Sequence, residues 1–166
     1  RFEPSLFYAG RALAPTLAET AYYRYAFWTG MEQPPPSGRL LTQHTLFRAR
    51  YRTDRGLHLN ERPWSGLERT LRHPSEYQPT QELGKRMRSA KVEAFEYVSA
   101  RDPECGVNVA LFTPDALVSR RPLAQQPWLC ETREDTVSLS ANSGRDLYLF
   151  PITYFLVGGA LPRPAS

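Results

Sequence analysis

The run Gln33-Pro-Pro-Pro-Ser-Gly38 most constrains this chain. Three consecutive prolines remove three backbone donors and fix φ, so no helix passes through them. The clearest helical pattern lies just before. Pro15 sits where a first helical turn tolerates a missing N–H, and Thr16 to Trp28 reads as a helix ended by Gly30. Leu17, Ala21, Tyr25 and Trp28 recur at three- and four-residue steps and form its expected buried stripe. A short apolar strand, Ser5 to Ala9, precedes it and closes at Gly10.

Beyond the prolines, strand signals dominate. Thr45 to Tyr51 and Leu57 to Leu59 flank the turn Asp54-Arg-Gly56, and Val107 to Phe112 is a strong strand leaving through Thr113-Pro-Asp115. Leu147 to Phe150 and Thr153 to Val157 are further strand candidates. Thr80 to Ser89 is rich in helix formers, with Thr80 a candidate N-cap. Leu123 to Cys130 reads as an irregular connection. Strands outnumber helices without βαβ alternation, which predicts an α+β fold. At 166 residues and 19.0 kDa, residues 1–166 are read as one domain.

The net charge of +4 and pI near 9.3 invite a nucleic-acid reading. The basic residues are dispersed, however, and the densest stretch, Arg48 to Arg55, alternates as a solvated strand face does. With no helix-turn-helix or zinc-finger pattern, direct nucleic-acid binding is not expected. Pro114 and Pro151 interrupt the longest apolar runs, so no membrane span is expected, and no leader opens the sequence given. Cys105 and Cys130 are too few for a Cys-only metal site, and His44, His58 and His73 have no clustering spacing. No metal is predicted.

Glu19 is the odd residue of the helix, an acid among Ala and aromatics in Leu17-Ala-Glu-Thr-Ala-Tyr-Tyr-Arg-Tyr25. A glutamate in a first turn ordinarily faces solvent and favours the helix dipole. The other reading is a carboxylate facing a ligand pocket walled by tyrosines.

Arg1-Phe-Glu-Pro, Leu6-Phe-Tyr8-Ala and Leu17-Ala-Glu19-Thr-Ala-Tyr-Tyr-Arg24, with Tyr8 eleven positions before Glu19, resemble the opening of the RES-domain family. Tyr77 to Gly84 is similar to its tyrosine-to-helix stretch. Glu96-Tyr-Val-Ser99-Ala-Arg101 and Gly106 to Pro114 are similar to its serine motif and following strand. The likeness is clearest over residues 1–117. Where many members carry His four residues after the glutamate, this chain has Tyr23.

The resemblance implies a split mixed or antiparallel β-sheet fold like that of ADP-ribosylating toxins, surrounding an NAD cleft. It implies NAD as substrate, no resident cofactor, and Glu19 and Ser99 as catalytic residues. It places Arg1, Tyr8, Tyr23 and Arg24 on NAD. The activity implied is cleavage of the nicotinamide–ribose bond by hydrolysis or phosphorolysis, with mono-ADP-ribosylation of a protein as the alternative. It further implies a bacterial toxin acting in the cytoplasm of its own or a target cell, neutralised by an antitoxin or immunity protein that occludes the cleft. The remaining readings are a catalytically dead, partner-binding relative and a basic nucleic-acid-binding module built on Arg48, Arg50, Arg52 and Arg55 with Tyr51 between them.

The residue types suit this chemistry. Breaking that bond builds an oxocarbenium-like cation, as in glycoside cleavage, which a fixed carboxylate stabilises. Arg forks clamp pyrophosphate, and a tyrosine face stacks on an aromatic ring.

Overall fold

The computed structural model describes residues 6–71, 73, 78–141, 144 and 146–162. Arg1 and Tyr77 lie outside them. The elements run β1 (Phe7–Gly10), α1 (Leu13–Thr29), β2 (Leu40–Arg48), β3 (Gly56–His58), α2 (Glu68–Leu71), α3 (Gln78–Ser89), β4 (Ala94–Val98), β5 (Val107–Leu111), β6 (Ala124–Thr132), β7 (Thr136–Ala141) and β8 (Leu147–Pro151). They form two four-stranded sheets, ordered β1-β5-β4-β3 and β2-β6-β7-β8. All neighbours are antiparallel except β3 and β4. The fold is α+β, as the sequence predicts.

Helix α1 contacts both sheets. Its Leu17, Ala18, Ala21, Tyr22 and Tyr25 pack into one core with Trp128, Cys130, Val137, Leu139 and Phe150 of the second sheet. Complete burial of a side chain such as Leu17 or Leu139 contributes roughly 1.5–3 kcal/mol. The phenols that cross this core find acceptors: Tyr22 donates to the Pro162 carbonyl and Tyr25 to the Phe150 carbonyl, each at 2.6 Å. Toward the first sheet, the helix comes very close to β1. A Cβ on Gly10 would stand 2.8 Å from the Thr16 nitrogen and collide with the Thr16 hydroxyl. Only glycine permits that approach.

Several boundaries differ from those expected. Helix α1 starts at Leu13, which puts Pro15 third, still in the turn whose N–H groups need no intrahelical acceptor. Strand β2 begins five residues before Thr45 and ends at Arg48. It does not flank β3 in one sheet, for the two strands belong to different sheets. Ala124–Thr132 is a strand, not an irregular connection. Pro127 pairs with Thr45 of β2, but β7 joins β6 only from Trp128 onward, so proline lies where β6 has one neighbour. Thr153 to Val157 is not a strand: Ile152–Tyr154 is a 3₁₀ turn, and Phe155 fills the α1 core. Among the described residues no helix is long and apolar enough to cross a membrane.

Candidate active site

Glu19 projects from α1 one turn beyond the Thr16–Gly10 contact. Ser99 Oγ donates to its Oε1 at 3.0 Å, and Asn108 Nδ2 donates to the same oxygen at 2.9 Å. No described residue is hydrogen-bonded to Oε2. Burial raises the carboxyl's pKa, while the Ser99 hydrogen bond, the Arg101 charge and the Asn108 hydrogen bond oppose that rise. The result is a partly desolvated carboxylate held on one oxygen.

The donors come from the first sheet and the loop at its edge. Ser99 follows β4 and is wholly buried. Its Oγ also accepts from the Arg101 and Asp102 amides, both at 3.1 Å, and its own N–H donates to the Gly106 carbonyl at 2.8 Å. The buried Asp102 carboxylate closes the loop by accepting from the Glu104 and Gly106 amides at 3.1 Å. A Cβ on Gly106 would meet that carboxylate and come within 2.9 Å of Pro15. Arg101 stacks on the Tyr22 ring at 3.7 Å, which fixes its charge near Glu19.

Asn108 lies in β5 between Gly10 of β1 and Tyr97 of β4. These three positions share one sheet face, as do Tyr8, Ala110 and Phe95 one pair along. The Tyr97 hydroxyl is pushed far above its usual pKa by burial, then by the charge of Glu19 and the neighbouring phenols of Tyr8 and Tyr23, so it is neutral at physiological pH. Tyr8 and Tyr23 are 59% and 57% exposed, which removes both from the core. Tyr22 and Tyr25 are the core tyrosines.

The structure thus brings together Glu19, Ser99, Tyr8 and Tyr23 of the residues singled out in the sequence. Arg24 goes elsewhere. It lies about 140° around the helix from Glu19. Its Nε donates to Thr132 Oγ1 at 3.2 Å, its guanidinium lies over Phe27, and its buried Nη2 has no described partner. His44, near Arg24, is lowered in pKa by burial and by that charge. Asn108, Tyr97, Arg101 and Asp102 were not selected from the sequence as site residues. Asn108 lies in the strand expected over Val107 to Phe112, whereas Tyr97 lies in β4, a strand the sequence reading does not include, and only cross-strand register brings them to Glu19.

A second polar group occupies the opposite face of the first sheet, since Glu96 follows Phe95 and precedes Tyr97. The buried Glu96 carboxylate pairs with Arg11 at 3.0 Å and His58 at 3.2 Å and accepts from Tyr51. Burial works to raise its pKa, but the Tyr51, Arg11 and His58 hydrogen bonds outweigh this and hold it below the usual range. Its described polar partners tie β4 to β3, to the segment after β2 and to the residue after β1. This is a pin of the fold.

These features define an α+β protein with a clamped carboxylate beneath an exposed tyrosine wall. The RES domain family model matches residues 1–132, through the end of β6, and the chain belongs to the RES-domain family. That family is associated with NAD-related toxin function. No curated protein matches the chain significantly.

Proposed function

We propose that this protein is a toxin domain that cleaves NAD at the nicotinamide–ribose bond. The observation that carries the reading is Glu19: half-buried, doubly held on Oε1, and beside exposed tyrosines. A carboxylate in that state suits a developing ribosyl cation, because its charge is partly desolvated and its position is set before reaction. Tyr8 offers a ring for stacking on nicotinamide, and Tyr23, one helical turn from Glu19, forms the adjoining wall. Tyr97, neutral and near Glu19, adds no competing charge. Ser99 acts through Glu19 in this scheme, since it is buried and its hydroxyl is engaged there. Arg101 supplies a cation near the carboxylate, and Arg24, turned toward Thr132 of the second sheet, takes no part at the reacting bond.

The two-sheet α+β form accords with an ADP-ribosyltransferase-like cleft, and NAD is then the substrate, not a bound cofactor. Protein mono-ADP-ribosylation is the second reading, since a transferase uses the same bond cleavage. Action in bacterial cytoplasm, and neutralisation by a partner that covers Tyr8 and Tyr23, belong to the same proposal.

The test is to incubate the purified protein with NAD and quantify nicotinamide, with parallel reactions containing phosphate or cell lysate. Nicotinamide release, with Tyr8→Ala raising the NAD concentration needed, is the expected result. Acceleration by phosphate identifies phosphorolysis, and label transferred from NAD to lysate protein identifies the transferase. Folded protein that releases no nicotinamide in any arm would overturn the reading.

A further inference from the structure

We infer that Asn108 is a positioning residue for Glu19: its amide, with Ser99, fixes Oε1 and leaves Oε2 to the ligand. The inference rests on the reading of Glu19 as the charge-bearing group of the site.

Three observations converge. Asn108 is only 2% exposed, and its side-chain amide donates to Glu19 Oε1 at 2.9 Å and also hydrogen-bonds the neighbouring Tyr97 phenol, so it serves the site rather than the strand. Its Oδ1 is buried without a described partner. An orphaned buried acceptor costs about 1–3 kcal/mol, so an apolar residue of the same shape would serve a purely structural strand better. Strand β5 is otherwise Val107, Val109, Ala110 and Leu111, which is the apolar composition a buried strand prefers. The polar exception stands where register sets it between Gly10, which has no side chain to intervene, and Tyr97.

The physical role follows from the direction of the bond. An amide N–H donates to an ionised carboxylate more strongly than to a neutral one, so Asn108 favours charged Glu19 against burial. Ser99 does the same from the loop, and Arg101 through its charge. Asp102 opposes them, and the Tyr97, Tyr8 and Tyr23 phenols line the sheet and helix sides. Two donors arriving from different elements, β5 and the loop after β4, also restrict the carboxyl's rotation in a way that one donor does not.

The experiment uses Asn108→Leu, which keeps the branched skeleton and deletes the donor, and Asn108→Asp, which keeps the shape and sets a second carboxylate against Glu19. Nicotinamide release from NAD is followed against pH. Both variants should show kcat reduced about tenfold or more with KM changed less than threefold, and the acidic limb of the profile displaced upward, further in Asn108→Asp. A folded Asn108→Leu protein whose profile superimposes on the parent's would overturn the inference. Should Asn108→Leu fail to fold, Asn108→Asp is read against the same criteria. A second readout needs no activity: carbon-13 NMR titration of the Glu19 carboxyl should move to higher pH in the variants. An unmoved titration also overturns the inference. Absence of NAD cleavage in the parent, by contrast, fails the proposed function and leaves the NMR result to decide the role of Asn108.

Discussion

Ser99 and Glu19 are eighty residues apart in sequence and joined by a 3.0 Å hydrogen bond that ties the loop after β4 to the middle of α1. The same hydroxyl accepts from two backbone amides, so Ser99 is the junction between a folded turn and the site carboxylate.

Replacing Ser99 with Ala removes an acceptor from the Arg101 and Asp102 amides and a donor from Glu19 at once. The expected loss of stability is about 1–3 kcal/mol, the cost of stranding buried polar groups. NAD cleavage should also fall. Urea unfolding checks the first effect through the transition midpoint, and an unshifted midpoint would show that the turn closes without the hydroxyl.

Glu19→Gln separates charge from shape. NAD cleavage should drop ~100-fold or more, the usual cost of deleting a transition-state electrostatic partner. Stability should move the other way. The Glu19 pKa is raised by folding, so the folded protein holds an extra proton between the ordinary carboxylate value and the raised one. Parental stability therefore declines as pH rises through that window, and the Gln variant lacks this decline. Thermal unfolding of both proteins from about pH 4 upward tests the sign.

Glu96 should behave oppositely. Its pKa is lowered in the folded protein, so it contributes stability above the ordinary carboxylate value and loses it as pH falls through the lowered one. Glu96→Gln should flatten that acid limb and cost about 1–3 kcal/mol near neutral pH, because Arg11, Tyr51 and His58 lose a charged acceptor. Tyr51, pushed up to about 12 by burial and then by Glu96, should titrate closer to 10 in the variant, as absorbance would show. An unchanged acid limb would mean that the pin is energetically idle.

Legibility from sequence followed the range of the interactions. The α1 stripe was readable because Leu17, Ala21, Tyr25 and Trp28 repeat within a few turns, and all four are buried. Glu19 stood out as a lone acid among aromatics, and Ser99 through its motif. Asn108 had no such mark, for Val107-Asn-Val-Ala-Leu is simply a good strand until Gly10 and Tyr97 are set beside it. Strand β6 was hidden by Gln125-Gln-Pro127, whose polar, strand-breaking character is tolerated only because β7 does not extend that far. The separation of β2 from β3 into different sheets is likewise a matter of nonlocal pairing, which the turn between them does not encode.

The loop from Ser99 to Gly106 carries a kinetic consequence. Its amides at Arg101, Asp102, Glu104, Cys105 and Gly106 already donate within the loop, to the Ser99 hydroxyl or to Asp102. Nothing on that side has to be ordered when a ligand arrives, so the entropic toll of association falls on the ligand and the exposed tyrosines instead. Deuterium should enter those five amides slowly, and at nearly the same rate with NAD present as without it.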